Sequence, residues 1–197
     1  MDELFNKVSN WSGDNTGNAI MTGGDTTMLV EAMYKCSDGT CAQNTKMLVT
    51  DDLYGMITCK SDSAGCIING ESQRRGMQVK GTYTQKLTLR ALAFFGGQKN
   101  RGGGLAIEGG AKVDLFLCNF SSCKSTGDST GDGGGAIIIG SSETEVNIYS
   151  TRFNGNIAAS GNGNDIYNFP DSPGSITIHN TCPSPYTERT STKGNTE

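Results

Sequence analysis

Gly102-Gly103-Gly104-Leu105-Ala106-Ile107 and Gly133-Gly134-Gly135-Ala136-Ile137-Ile138-Ile139 are two glycine runs, each opening into a short apolar strand. Each is followed by a second short strand of another kind, Val113-Asp114-Leu115 and Val146-Asn147-Ile148. Leu87-Thr88-Leu89 and Ile176-Thr177-Ile178 repeat that second pattern, so its first residues are separated by 26, 33 and 30 positions. Apolar residues at i and i+2 with a polar residue between them give the period of a strand with one buried face. Phe94, Phe120 and Phe153 follow Leu87, Val113 and Val146 at one constant offset. A fixed offset repeated three times places the phenylalanines at equivalent positions of successive coils, stacked in one interior row.

A unit of about 30 residues with several half-apolar strands cannot bury its own apolar faces, and stacking such units solves the problem. The sequence therefore predicts an all-β fold, a single-stranded right-handed parallel β-helix, or solenoid, over residues 1–182. Its rungs span 45–180, with the best repeats at 102–132 and 133–167. Met47-Leu48-Val49, Met56-Ile57 and Cys66-Ile67-Ile68 are candidate strands of earlier, less regular rungs. Polar loops such as 124–132 are expected to project outward. Asp2 and Glu3 suit the start of a helix, and Leu4, Phe5 and Val8 share one helical face, so residues 1–12 are expected to form a short cap. From Pro183 to Glu197 strand patterning is lost, and an irregular tail or linker is expected.

Composition agrees with many tight turns. Glycine makes up 28 of 197 residues, about twice the usual share, and only four residues are proline. The net charge is −4, against a nucleic-acid partner, which needs a basic face. Arg74-Arg75 and Lys99 with Arg101 are the concentrated basic groups, and they read as exposed loop cations. No apolar run approaches the ~20 residues of a transmembrane span. Met1 to Lys7 lack the basic and apolar regions of a signal peptide.

Seven cysteines form three short local pairs and one remainder. Cys36–Cys41, Cys59–Cys66 and Cys118–Cys123 are each close enough in sequence to be bridged, and Cys182 is left over. Zinc is the competing use, but no pair has CxxC spacing and His179 is the chain's single histidine. Disulfides imply an oxidising compartment, so the protein is expected outside the cell or on its surface, as a fragment or processed form. Two sequons, at Asn10 and Asn119, agree with secretion.

Gly134-Gly135-Ala136-Ile137, then Phe153-Asn154-Gly155-Asn156, then Gly163-Asn164-Asp165-Ile166-Tyr167, resemble the GGAI/FxxN repeat of the chlamydial polymorphic outer membrane proteins. The cysteine-bearing variant, Cys118-Asn119-Phe120-Ser121-Ser122-Cys123, is most similar to related repeats of algal surface proteins. The likeness is good over 102–167. It departs at Cys123, in the asparagine place of FxxN, and at Leu105, in the alanine place of GGAI. The resemblance implies an exported β-helix with adhesive roles, and it carries over no catalytic residue.

Carboxylates are the first candidates for chemistry, because β-helices host polysaccharide lyases and hydrolases. Asp51 and Asp52 are adjacent, but neighbouring strand residues point to opposite faces. A lyase would draw on Arg90, Lys112, Asp114 and Glu108, which share outward positions on adjacent coils; such charges also keep a sheet soluble. Asp128 to Gly133 is only faintly like a calcium loop, and no cofactor or metal is implied. Asn154, Asn156, Asn162, Asn164 and Asn168 read as turn or ladder residues, and Tyr149, Tyr167 and Phe169 as stacking platforms for carbohydrate. Thr82, Thr84 and Thr88 are too few for an ice-binding array. The leading expectation is a non-enzymatic extracellular or surface module for adhesion, cell-coat structure or ligand binding, its partner a polysaccharide or another surface protein. The alternative is a carbohydrate-active enzyme, a lyase or hydrolase, or an ice- or carbohydrate-binding face.

Overall fold

The computed structural model describes residues 55–59, 66–81 and 86–179 fully, and the backbone of strands at 11–13, 19–21, 26–29, 32–34, 48–51, 189–191 and 194–196. The fold is a parallel β-solenoid, with no helix among the described residues. The expected helical cap over 1–12 lies mostly outside them. Each coil but the last contributes a described strand to each of three long sheets, so the chain returns to the same face once per coil.

The first face stacks Ala19–Met21, Leu48–Asp51, Met77–Lys80, Leu105–Glu108, Ile137–Ile139 and Ile166–Asn168 in parallel. The second stacks Thr26–Leu29, Gly55–Cys59, Lys86–Arg90, Lys112–Phe116, Glu145–Tyr149 and Ser175–Ile178. The third stacks Ala32–Tyr34, Cys66–Asn69, Leu92–Phe95, Asn119–Ser121 and Arg152–Asn154. A coil earlier than residue 45 is thus present. Its strands are not marked in the sequence because they are short and lack the glycine run and phenylalanine of the later coils.

At the ends the pairing reverses. Trp11–Gly13 lies antiparallel on Ala19–Met21, and Gly194–Thr196 lies antiparallel on Ile166–Asn168. Arg189–Ser191 closes the second face in the same way. These C-terminal strands fall within the stretch expected to be an irregular tail.

Inside the tube, like stacks on like. Leu87, Val113, Val146 and Ile176 form one fully buried row and Leu89, Leu115, Ile148 and Ile178 the next. Leu105 sits over Ile137, so Gly104 rather than Leu105 occupies the place of Ala136. The two glycine runs, alike in sequence when Gly102 is set on Gly133, are therefore out of step by one position in space. A slip of one residue would turn Leu105 and Ile107 to the outside, and burial decides the register. The phenylalanine row is present: Phe94 and Phe120 stack at 4.6 Å with an interplanar angle of 3°, and Phe120 and Phe153 at 5.4 Å and 10°.

Corners are turned by single residues in the left-handed conformation. Ala91, Leu117 and Ser150 do this between the second and third faces, and Gly96, Ser122 and Gly155 after the third. At Gly103 the coils approach so closely that a Cβ would overlap the carbonyl oxygens of Gly97, Lys124 and Gly135. The Asn of FxxN has a structural duty. Asn156 Nδ2 donates to the Phe120 carbonyl at 3.1 Å and to Asp165 Oδ1 at 2.8 Å, and its Oδ1 accepts from the Cys123 amide at 3.0 Å.

Phe120→Ala removes a ring stacked on both sides, and it is expected to cost ~3–5 kcal/mol in chemical denaturation. Asn156→Ala leaves the buried Cys123 amide without an acceptor and is expected to cost about 1–3 kcal/mol. An Asn156→Ala effect near zero would show that this corner is held by backbone pairing alone.

Candidate functional site

The second face carries the charged residues singled out in the sequence. Between its buried rows, three columns of side chains point out and run along the solenoid axis. The first is Lys86, Lys112, Glu145 and Ser175, and the second Thr88, Asp114, Asn147 and Thr177. The third is Arg90, Phe116, Tyr149 and then His179, whose amide donates to the Ile148 carbonyl at 2.9 Å. Strand geometry sets columns about 6.6 Å apart and successive coils ~4.8 Å apart.

Arg90, Lys112 and Asp114 are thereby brought onto one surface, while Glu108 is not: it belongs to the first face, where it accepts a 2.7 Å hydrogen bond from Gln78 Nε2. Asp51 occupies the register position beside Lys80 on that same first face, and its side chain and all of Asp52 lie outside the described residues. Asp114 is engaged on two sides, by Lys86 Nζ at 3.2 Å and by Asn147 Nδ2 at 2.9 Å. The same Asn147 nitrogen approaches Glu145 Oε1 at 3.4 Å. Two carboxylates from adjacent coils thus share one amide donor, on the open surface of a sheet.

The third column is an aromatic ladder. Phe116 and Tyr149 stack at 4.2 Å, and Tyr149 and His179 at 3.8 Å. Nothing local in the sequence marks this ladder, because consecutive members lie a whole coil apart and one is a histidine. The common offset from the preceding Val113, Val146 and Ile176 was the available signal. Tyr149 is consequently covered on both ring faces by its neighbours and does not offer a flat platform.

Tyr167 and Phe169 lie elsewhere, on the outer side of the first face, and Tyr167 is buried. Together with Ala106 and Ile138 they form a small apolar cluster outside the tube. The loop 124–132, expected to project outward, instead folds back over it: Tyr167 Oη donates to the Thr130 carbonyl at 2.9 Å. Asp132 accepts from Arg101 Nε at 2.7 Å and from the Ser129 amide at 3.1 Å, and the Arg101 guanidinium lies 5.5 Å from the Phe169 ring centre. The hydrogen bond from Arg101 holds the Asp132 carboxyl below its ordinary value. This carboxylate is spent on closing a loop.

Arg74 and Arg75, expected as exposed cations, are buried. Arg75 Nε donates to the Gly102 carbonyl at 2.9 Å and its Nη2 to that of Arg101, so it anchors the start of the next glycine run. Burial lowers its guanidinium from the ordinary value, with Glu108 opposing. Arg74 pairs with Glu71 at 2.7 Å.

Of the expected disulfides, Cys59–Cys66 is formed, with its Cα atoms 5.6 Å apart. It closes a corner that the next coil turns with Ala91 alone. Cys36–Cys41 lies outside the described residues, as does Cys182. Cys118 and Cys123 are not bonded, and both are buried. They stand at opposite ends of Asn119–Ser121, and an extended stretch of that length holds its flanking Cα atoms well beyond the ~7 Å limit for a bridge. Their thiols donate instead to carbonyls of the neighbouring coil, Cys118 to Leu89 at 3.4 Å and Cys123 to Phe94 at 3.6 Å. Burial pushes both thiols up to about 12. Asn119 of the sequon is half-buried, its side chain on the outside of the third face between the positions of Ala93 and Arg152; Asn10 lies outside the described residues.

Among the described residues no group of His, Cys, Asp or Glu is arranged to hold a metal ion, and no helix is long and apolar enough to cross a membrane. In comparisons with known proteins, no protein-family model, no curated protein and no solved structure matches the chain significantly. The shared ground with the polymorphic outer membrane protein repeat is thus the parallel β-solenoid itself.

Peptide mapping without reduction is expected to show the Cys59–Cys66 bridge and free thiols at 118 and 123 that a thiol reagent labels only after denaturation. Sulfur bridged between 118 and 123 would overturn that reading. Because the folded thiols keep their protons to about 12 and unfolded ones ionise near 9.0, folding binds protons. Stability should therefore be unaffected by these groups below pH 9.0 and fall as pH rises toward 12. The loss should shrink in Cys118→Thr, which copies Thr151 at the same corner of the next coil.

Proposed function

We propose that this chain is a non-enzymatic, surface-exposed solenoid module that binds an extended ligand, a polysaccharide or another surface protein, along its second face. The observation that carries the reading is the outward face that repeats from coil to coil, where Lys86 and Asn147 both bond Asp114 Oδ1 and Phe116, Tyr149 and His179 stack in line. The face offers repeated, outward polar groups at the coil spacing, bordered by the Phe116–Tyr149–His179 ladder. Such a surface suits a ligand whose own groups recur along its length. The Cys59–Cys66 disulfide supports an oxidising compartment, and with it export.

The carbohydrate-active enzyme is the second reading, because Asp114 and Glu145 share the Asn147 amide and stand close enough to act as a pair. A glycan and extracellular-protein array with the purified chain separates the two. Binding to an extended ligand, lowered on the order of tenfold by Lys112→Ala, equivalent to ~1.4 kcal/mol, is the expected result. Release of reducing or unsaturated ends from any polysaccharide, abolished by Asp114→Asn or Glu145→Gln, would establish the enzyme instead.

A further inference from the structure

Asn-Gly occurs three times in the sequence, at Asn69-Gly70, Asn154-Gly155 and Asn162-Gly163. Asn-Gly is chemically labile because glycine lacks the Cβ that would shield its amide nitrogen from the preceding side chain. The fold treats the three differently. The Gly70 amide donates to the Phe95 carbonyl at 2.9 Å, and Asn69 Oδ1 accepts from the Glu71 amide at 2.8 Å. Asn162 is held through its Nδ2, which donates to the carbonyls of Thr130 and Asp132, each at 3.1 Å. In both cases one of the reacting groups is tied to the scaffold.

Asn154-Gly155 is tied by neither group. Among the described residues, Arg152–Asn154 is the last strand of the third face. One coil earlier, the Ser122 amide stands where the Gly155 amide stands, and it donates to the Asn154 carbonyl at 3.1 Å. Among the described residues, the Gly155 amide and the Asn154 side chain have no hydrogen-bond partner. Both residues are exposed, and a Cβ at Gly155 would meet nothing within 4 Å.

We infer that Asn154 is a site of spontaneous deamidation, selected by the exposure and freedom of the Asn154-Gly155 corner. The Gly155 amide nitrogen gives up its proton to base and attacks Asn154 Cγ. The Cγ–Nδ2 bond breaks, ammonia leaves, and a five-membered succinimide joins the two residues. Water then opens either carbonyl of the ring, leaving aspartate at 154 or its isomer with the main chain running through the side-chain carbon. The net change is amide plus water to carboxylate and ammonia, with no oxidant or catalyst. The isomer adds a backbone atom to the edge strand, so the Ser122 bond to the Asn154 carbonyl is lost and the last coil loosens at that corner.

The test is timed incubation of the purified chain in mildly alkaline buffer, followed by peptide mapping with mass detection that separates aspartate from its isomer. Asn154 is expected to convert first, and further than Asn69 and Asn162 combined. The equivalent corner one coil earlier is Ser122 with φ +53°, close to the +63° of Gly155, so Gly155→Ser fits the turn and should suppress the reaction at 154 alone. In denaturant the preference for Asn154 should disappear, because the fold creates it. Equal conversion of the three in the folded chain, an undiminished rate in Gly155→Ser, or a persistent preference for Asn154 after unfolding would each overturn the inference.

Discussion

Register between coils is the constraint on which everything else in this protein rests. Parallel strands spaced by a single hydrogen-bonded step place each side chain directly over its counterpart, ~4.8 Å away. A residue is therefore judged by what lies above and below it before its sequence neighbours matter. Leu87, Val113, Val146 and Ile176 form one continuous buried row, although a full turn of the chain separates each from the next. The same rule arranges the outer surface. Asp114 finds Lys86 one coil below and Asn147 one coil above, and Phe116 finds Tyr149.

This explains how much could be read from the sequence. Alternating apolar triplets and the constant offset to Phe94, Phe120 and Phe153 were visible because every coil repeats them. The solenoid and its best-ordered rungs followed. The alignment of the glycine runs failed by one residue because glycine is a poor ruler: Gly104 stands where Ala136 stands, and only the burial of Leu105 and Ile137 fixes the true match. The earliest strands of the first two faces escaped because Ala19–Met21 and Thr26–Leu29 carry neither signature.

The surface was less legible, and for a physical reason. Outward residues are free of the repeat, so their partners depend on loop lengths that shift between coils. The stretch 124–132 looked like a solvated loop, yet Arg101, Asp132 and the Thr130 carbonyl fasten it over Tyr167. Arg75 looked exposed and proved to be a buried anchor for two carbonyl groups. Cys118 and Cys123 looked like a bridge because sequence separation was the only measure available. The extended strand between them keeps them apart, whereas Cys59 and Cys66, further apart in sequence, flank a corner that brings them together.

The Cys59–Cys66 bridge also sets one corner apart from those that follow it. At the later corners between the second and third faces the chain turns with one residue, Ala91, Leu117 or Ser150. Where the two sulfurs join, the corner is closed covalently at its base. The strands on either side are then tied to each other by the bridge as well as by their pairing with the neighbouring coils. Among the described corners between the second and third faces, this one joins its strands through sulfur and not through a single left-handed residue.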